Sequence, residues 1–293
     1  MLVTVYIPSK NRLELLARAV SSVVNQTYES GELLIVNDGS TDGTREFLDD
    51  LVSRDSRIRI IQRESSSGAP YCRNLAIRSA SGDFVTGLDD DDWFHPNRLT
   101  ALVEYWRLLA KSGETFSCIY TQEVYVRGDE RSMSRKPDSV YADDLYFHNL
   151  VGNQVFARKE AYLEAGLFDE SMPAWQDLDM FIRLLTKLGP GRLLDDALYF
   201  TSHEERPDRI SVGSKDRISS AYRKLLAKST CKPAVVKQGL FLQTFGPLYG
   251  RKPGLLDLPE FFRYGVHPKN MRALLGIYLR AGDVRHNRRQ RVT

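Results

Sequence analysis

The chain has 293 residues, 42% hydrophobic and 27% charged, with a formal net charge of +3. This is enough for one sizeable α/β domain with a smaller appendage, built around a real core in a soluble protein. So small a charge does not by itself imply a nucleic-acid partner, and Cys72, Cys118 and Cys231 form neither a disulfide ladder nor a metal-binding spacing, which favours a reducing cytosol.

Met1 to Val5 lacks the charged region and cleavage site of a signal peptide. No run reaches the roughly eighteen apolar residues of a spanning helix, so any membrane contact is expected at the surface. Leu2 to Ile7 reads as a first strand, ended by Pro8-Ser9-Lys10-Asn11. Arg12 to Gln26 repeats Leu13, Leu16, Ala17, Val20, Val23 and Val24 at helical spacing. Glu32 to Val36 is a second strand, followed by the loop Asn37-Asp38-Gly39-Ser40-Thr41-Asp42-Gly43 and a helix from Thr44 to Ser53. Ile58 to Ile61 is a third strand. The polar loop Ser65 to Pro70 precedes a helix from Tyr71 to Ser79.

The fourth strand, Phe84-Val85-Thr86-Gly87-Leu88, stops in Asp89-Asp90-Asp91-Asp92, with Pro96 beyond. In extended backbone Asp89 and Asp91 face one way, Asp90 and Asp92 the other. Carboxylates this close repel, and a hard divalent cation offsets that repulsion; Mg²⁺ or Mn²⁺ commonly bridges one or two carboxylates to a diphosphate. The bland alternative is a solvated acidic turn. The β-α-β-α-β-α-β rhythm implies a largely parallel sheet with covered faces, whose ligands bind beyond the carboxyl ends of the strands. The Pro8, Asp38 and Asp89 loops all fall at that edge.

Further on, Pro96 to Lys111 is expected to be helical, and Phe116 to Tyr120 with Glu123 to Val126 a strand pair around a turn. Gly128 to Asp144 reads as an irregular, mobile loop, Val151 to Ala157 as a strand, and Lys159 to Ala165 as a short helix. Asp177 to Leu188 places Leu178, Phe181, Ile182 and Leu185 on one helical face, and Asp195 to Phe200 returns to the sheet. The loop His203 to Gly213 divides a body of residues 1–213 from a helical, basic region of residues 214–293.

Five stretches in order resemble the inverting family 2 glycosyltransferases of the GT-A fold, over about Val3 to Ser211: Ile7 to Asn11, Val36 to Asp42, Gly68 with Cys72-Arg73-Asn74, Leu88 to Asp92 with Pro96, and Trp175-Gln176-Asp177-Leu178-Asp179. The Gly-Leu-Asp-Asp-Asp-Asp form looks most like bacterial transferases that build lipopolysaccharide and O-antigen sugars from UDP-glucose or UDP-galactose. The resemblance implies a GT-A α/β fold, a UDP-sugar donor, a glycan or lipid-linked acceptor, and Mn²⁺ or Mg²⁺ as cofactor. It implies that Pro8, Asn11, Asp38, Arg73, Asp89 and Asp90 line the nucleotide-sugar site, with Asp38 accepting from the uracil N–H and the Arg73 guanidinium fork matching base or diphosphate oxygens. Asp91 becomes the direct metal ligand, Asp89 contacts ribose or the metal's water shell, and His203 either completes the metal shell from a closing loop or is an exposed loop histidine. Asp90 and Asp92 otherwise orient neighbours or cap the next helix. Asp177 corresponds to the catalytic base, with Asp179 competing for that role, and the residue before it, usually glutamate, is here Gln176. Trp175 is an acceptor-sugar platform or a core residue.

Phe241, Phe245, Leu248, Leu255, Leu256, Phe261, Phe262, Leu274, Leu275 and Tyr278 lie among basic residues that end in Arg285, Arg288, Arg289 and Arg291. Such a region can lie on anionic lipid at the cytoplasmic face of an inner membrane, pack on the catalytic body, or pair with a second copy as a homodimer. Two rival functions stay open. A nucleotidyltransferase would want a glycine-rich triphosphate loop that Pro8-Ser9-Lys10-Asn11 does not supply, and a binding module that has lost catalysis is kept in play by Gln176.

Overall fold

The computed structural model describes residues 1–203, 215–245, 249, 251 and 253–280. Its first 90 residues alternate strand and helix as the periodicity predicts. Strands β1 (Val3–Ser9), β2 (Gly31–Asp38), β3 (Ile58–Arg63) and β4 (Phe84–Gly87) alternate with helices α1 (Leu13–Val24), α2 (Thr44–Arg54) and α3 (Ala69–Ser79). The four strands run parallel in the order β3-β2-β1-β4, closed by a short antiparallel strand β9 (Ala157–Arg158). Ser9 lies opposite Asn37 and Tyr6 opposite Gly87, so the loops carrying Asn11, Asp38 and Asp89 leave the sheet at one edge.

Both faces of this sheet are covered, which is why its strands are apolar throughout rather than alternating with polar residues. Along β1 and β2, Val3, Val5, Ile7, Leu33 and Ile35 enter one core cluster, with Leu16, Val20 and Leu48 of α1 and α2. The intervening Tyr6, Leu34 and Val36 enter a second, with Cys72, Ala76 and Ile77 of α3.

Past the aspartates, strand β5 (Trp93–Phe94) joins a second sheet, ordered β5-β10-β6-β7. Its members are β6 (Cys118–Arg127), β7 (Glu130–Met133) and β10 (Gly191–Ser202), and β10 also pairs with β8 (Ser139–Val140). The acidic turn is therefore the crossing point from one sheet to the other. Helix α4 (Arg98–Ser112) follows β5, α5 (Lys159–Glu164) follows β9, and α6 (Gln176–Leu188) precedes β10.

Four expectations need correction. Phe116 to Val126 is not a strand pair but the single strand β6, because Thr121-Gln122 offers no turn residue and both side chains are buried. Gly128 to Asp144 is not irregular throughout, since it holds the hairpin partner β7, the short β8 and the start of a 3₁₀ turn at Asp144–Tyr146. Val151 to Ala157 is mostly not a strand: pairing is confined to a bridge between Ile119 and Phe156 and to β9, and residues 149–155 cross the sheet edge as an irregular strap. The return strand is also longer than Asp195 to Phe200, running from Gly191 to Ser202 with a bulge near Ala197.

Helices α7 (Lys215–Lys228), α8 (Ala234–Gln243), α9 (Leu258–Phe262) and α10 (Pro268–Arg280) follow. Ile218, Ala221, Tyr222, Leu225, Leu240, Phe241, Phe245 and Phe261 join the same apolar cluster as Phe181 and Leu185 of α6. Of the fates open to this region, its described helices pack on the catalytic body. Residues 204–214, Leu248 and the arginines at 285, 288, 289 and 291 lie outside the described residues.

Candidate active site

The acidic turn is built by its neighbours. Leu88 N–H still donates to Tyr6 O at 2.9 Å, as a continuation of β4, and then Asp92 N–H donates to Asp89 O at 3.0 Å and closes a turn. The backbone is thus not extended through the tetrad. Burial nonetheless alternates: Asp90 and Asp92 are buried, whereas Asp89 and Asp91 are partly exposed.

The two buried carboxyls are anchors. Asp90 accepts from Ser9 Oγ and Arg12 Nη1, both at 2.8 Å. Burial nevertheless pushes its pKa up to about 6, against the pull of Arg12 and Ser9. Asp92 accepts from the Ser202 N–H at 3.0 Å and ties the turn to the end of β10. Its pKa is raised by burial and by Asp91 and Asp89. Neither caps the next helix, whose N-cap position is Asn97. Arg18 completes the support, donating to Asp91 O at 2.6 Å with its guanidinium 4.1 Å from the Trp93 ring centre.

Asp89 sits at a junction. Its Oδ1 accepts from Arg73 Nη2 at 2.9 Å and from Gln154 Nε2 at 3.0 Å, and Gln154 Oε1 in turn accepts from Tyr6 OH at 3.0 Å. Gln154 fits only because residue 87 is glycine: a Cβ there would lie 1.9 Å from Gln154 Oε1 and 2.6 Å from Tyr6 Cζ. Arg73 projects from α3 and also donates to Gln176 Oε1 at 3.3 Å. Burial alone would lower its pKa, but Asp89 and Tyr6 outweigh that and hold it above its ordinary value.

Asp177 lies one residue beyond that contact, in the first turn of α6. Its Oδ2 accepts from Asn149 Nδ2 at 2.9 Å, and the same amide donates to Gly152 O at 3.0 Å. Burial raises the Asp177 pKa, opposed by the Leu178 N–H and by Arg73. Gly152, at φ +88°, lets the strap close over the buried Lys136–Glu123 pair, which is 2.8 Å apart; a Cβ there would lie 1.9 Å from Glu123 Oε1. Asp179, by contrast, is fully buried and enclosed by Arg183 Nη2 at 2.8 Å and Lys228 Nζ at 2.7 Å, so it has no open face for an incoming hydroxyl.

Asp38, at the end of β2, is occupied by the loop that follows β3. It accepts from Ser66 Oγ at 2.6 Å and from the Ser67 and Gly68 N–H groups at 2.9 Å. Burial raises its pKa, but these bonds prevail and hold the carboxyl below its usual range. Asn11, in left-handed conformation at φ 51°, links the first two loops: its N–H donates to Ser40 Oγ and its Oδ1 accepts from Thr41 N–H at 2.7 Å. Pro8 is buried in β1 opposite Val36. Trp175 is 8% exposed, and its indole N–H donates to Tyr249 OH at 2.8 Å, which makes it mostly a core residue.

The residues thus brought together are Arg73, Asp89, Gln176, Asp177, Asn149 and Gln154, with Asp91 in the same turn as Asp89. The His203 ring packs on Tyr125 with centres 4.9 Å apart, and the His203 backbone N–H donates to Val126 O. Among the described residues no three His, Cys, Asp or Glu side chains converge on a metal position, so His203 does not join Asp89 and Asp91 in such a group. The donor set that remains, two partly exposed carboxylates at a sheet edge, fits a hard cation that takes its other ligands from a diphosphate and water. Asn149 and Gln154 had no mark in the sequence, because an amide in an irregular strap carries no periodicity.

The chain is similar to known proteins over much of its length. The family described as Glycosyl transferase family 2 matches residues 4–162. The putative colanic acid biosynthesis glycosyl transferase WcaA of Escherichia coli K12 is 35% identical over 199 residues, which cover 67% of this chain and 70% of that protein. The putative teichuronic acid biosynthesis glycosyltransferase TuaG of Bacillus subtilis is 38% identical over 52% of this chain and 59% of its own. Among solved structures, S. aureus TarS 1-349 in complex with UDP-GlcNAc aligns over 96% of this chain and 81% of its own, with a TM-score of 0.67 at 17% identity. The mannosyltransferase PcManGT of Pyrobaculum calidifontis, in complex with GDP-Man and Mn²⁺, aligns over 97% of this chain and 88% of its own, with a TM-score of 0.57 at 13% identity. At these identities the two structures show a shared fold.

Proposed function

The chain belongs to glycosyl transferase family 2, and on that premise we propose that it is an inverting, metal-dependent hexosyltransferase. It takes glucose or galactose from a UDP-sugar and forms a β-linkage to a glycan acceptor, a lipid-linked intermediate of polysaccharide assembly. The observation that carries this reading is one hydrogen-bonded chain, Gln154–Asp89–Arg73–Gln176, running from the acidic turn to the residue beside Asp177. On this reading the diphosphate lies at one end of the Arg73 guanidinium and the base beside the other.

Uridine lies at the carboxyl edge over Pro8 and Asn11, with its base toward Asp38 and the loop folded onto that carboxyl. A divalent cation held by Asp91, with Asp89 beside it, would supply charge neutralisation for the departing UDP. Arg73 offers two directed donors to the same phosphate oxygens. Asp177 takes the proton of the acceptor hydroxyl; burial raises its proton affinity, against the pull of the Leu178 N–H and Arg73, and Asn149 Nδ2 orients the carboxylate. Attack from the face opposite the departing UDP inverts the anomeric centre in one displacement.

The acceptor end is expected at the cytoplasmic face of a membrane. No helix among the described residues is long and apolar enough to cross one. Residues 251–293 hold ten Lys and Arg against three Asp and Glu, seven net positive charges in a chain whose total is +3. Leu255, Leu256, Val266 and Leu279 are largely exposed in the same region.

The test is UDP release from UDP-glucose and UDP-galactose, with and without a lipid-linked acceptor. Asp177→Asn should lower transfer by about 10²–10⁴-fold with donor affinity near wild type. Asp91→Ala or EDTA should lower it by about 10²–10³-fold. Full activity in EDTA would remove the metal from the reading, and turnover of GDP-sugars alone would remove uridine.

A further inference from the structure

The segment that delivers Asp177 is gripped from outside the catalytic body. Residues 169–175 are irregular and lead directly into the first turn of α6. On one side, Asn74 of α3 exchanges two hydrogen bonds of 2.8 Å with the backbone of Phe168. On the other, α7 presents Arg217, Lys224 and Lys228, spaced seven and four residues apart and therefore on one helical face. Arg217 donates to Pro173 O at 3.0 Å and Lys224 to Ser171 O at 2.5 Å. Lys228 reaches two carboxylates, Asp169 at 2.6 Å and Asp179 at 2.7 Å. Tyr249 adds a fifth attachment through the indole N–H of Trp175, the residue in left-handed conformation that begins α6.

Asp177 and Asp179 are two residues apart in that helix, about 200° around its axis. One carboxylate therefore faces the site while the other faces backward, where Lys228 and Arg183 hold it fully buried. The turn is pinned from behind, and the front of the same turn carries the base.

We propose that α7 is a brace that sets the position of the catalytic base, with Lys228 a positioning residue acting on Asp177 through Asp179, and Tyr249 a second acting through Trp175. The inference rests on the reading of Asp177 as base. It gives the C-terminal region a role in the chemical step, separate from any contact with acceptor or membrane. Burial raises the Asp169 pKa, but Lys228 and Ser171 outweigh it and hold that carboxyl below its ordinary value, in keeping with a charged link. Loss of Lys228 still leaves Asp179 its bonds from Arg183, so the fold should persist while the turn loosens.

Lys228→Met, Lys228→Arg and Tyr249→Phe test the brace in the full chain. Displacing a reacting group by about 1 Å reduces rate by up to about 10²-fold, so Lys228→Met should lower kcat by roughly ten- to a hundred-fold. UDP affinity by calorimetry should stay within about twofold, because Lys228 bonds Asp169 and Asp179 and the Arg73–Asp89 pair remains in place. Lys228→Arg should recover most of the rate, and Tyr249→Phe, which keeps the ring and loses one acceptor oxygen, should show a smaller fall. Amide hydrogens of residues 169–179 should exchange about tenfold faster in Lys228→Met while β1 to β4 keep their protection. Wild-type kcat in Lys228→Met overturns the proposal, as does a parallel loss of kcat and UDP affinity that Lys228→Arg does not restore. Should the wild type transfer no UDP-sugar, the functional reading fails, and the exchange measurement alone then decides whether the brace exists.

Discussion

Replacing Arg73 with methionine tests whether the site is held by the ion pair at its centre. Methionine keeps most of the aliphatic stem and removes the fork that joins Asp89 to Gln176. Arg73 and Asp89 side chains are only 13% and 21% exposed, so this pair belongs to the buried class. Removing one partner of such a pair costs about 3–5 kcal/mol, because the other charge stays behind uncompensated. Asp89 keeps its bond from Gln154, and a fifth of its surface still meets water, so the lower end applies, about 3 kcal/mol. For a chain of this size that is a fall in Tm of about 5 °C.

Chemical denaturation should be run in EDTA, so that no adventitious cation replaces the guanidinium. Arg73→Lys keeps the charge but cannot reach both partners, and should lose about 1–2 kcal/mol. The decisive arm is the double variant. Asp89→Asn in the Arg73→Met background removes the stranded carboxylate and should recover most of the loss, a coupling a double-mutant cycle measures directly. A loss below about 1 kcal/mol in Arg73→Met, or no recovery in the double variant, would refute the reasoning.

Two further outcomes are expected. Glu32 is buried where β2 starts and accepts from Thr4, from Ser81 twice and from Arg59. Burial raises its pKa, yet these bonds win and hold it below the ordinary 4.5. A depressed carboxyl stabilises fully above its unfolded pKa, and that contribution is lost as pH falls through the folded value. Glu32→Gln should therefore lose about 1–3 kcal/mol at pH 7 and show a flatter acid limb than wild type; identical acid limbs would exclude this group. At the other end of the chain, truncation after Gly282 removes four arginines, each worth about 1 kcal/mol near an anionic surface. It should weaken low-salt sedimentation with anionic vesicles and leave donor hydrolysis intact, and equal sedimentation of both forms would remove the tail from the account.

The first sheet was legible because each strand is a short β-branched run that ends in turn-forming residues, and each helix repeats its apolar residues every three or four positions. The second sheet was not. Its long strand β6 reads as two because Thr121, Gln122 and Glu123 interrupt the apolar run, yet all three are buried by contacts made far along the chain. Gln122 donates to Asp195 and Glu123 pairs with Lys136, so satisfied polar groups stand where a solvent-facing turn was expected. The strap at residues 149–155 was misread for the opposite reason. Val151, Val155 and Phe156 look like a strand, but their burial comes from crossing a sheet edge rather than from pairing along it.

The same division runs through the site. Four consecutive aspartates announce themselves, since nothing but a cation, a proton or a built network of partners reconciles such charges. What the letters do not show is which carboxylates serve as anchors. Asp90 and Asp92 are buried against Ser9, Arg12 and Ser202, and Asp179 against Arg183 and Lys228, whereas Asp89, Asp91 and Asp177 are partly exposed. Those partners come from 49 to 110 residues away in all but the Arg183 pair, and a lysine or an amide has no spacing rule that would reveal them. The chemistry is written locally because a metal and a phosphate demand particular atoms. The support is distributed because any side chain that reaches can satisfy a buried charge, and for this reason the helices after residue 214 look like an appendage in the sequence and share a core with the preceding domain in the fold.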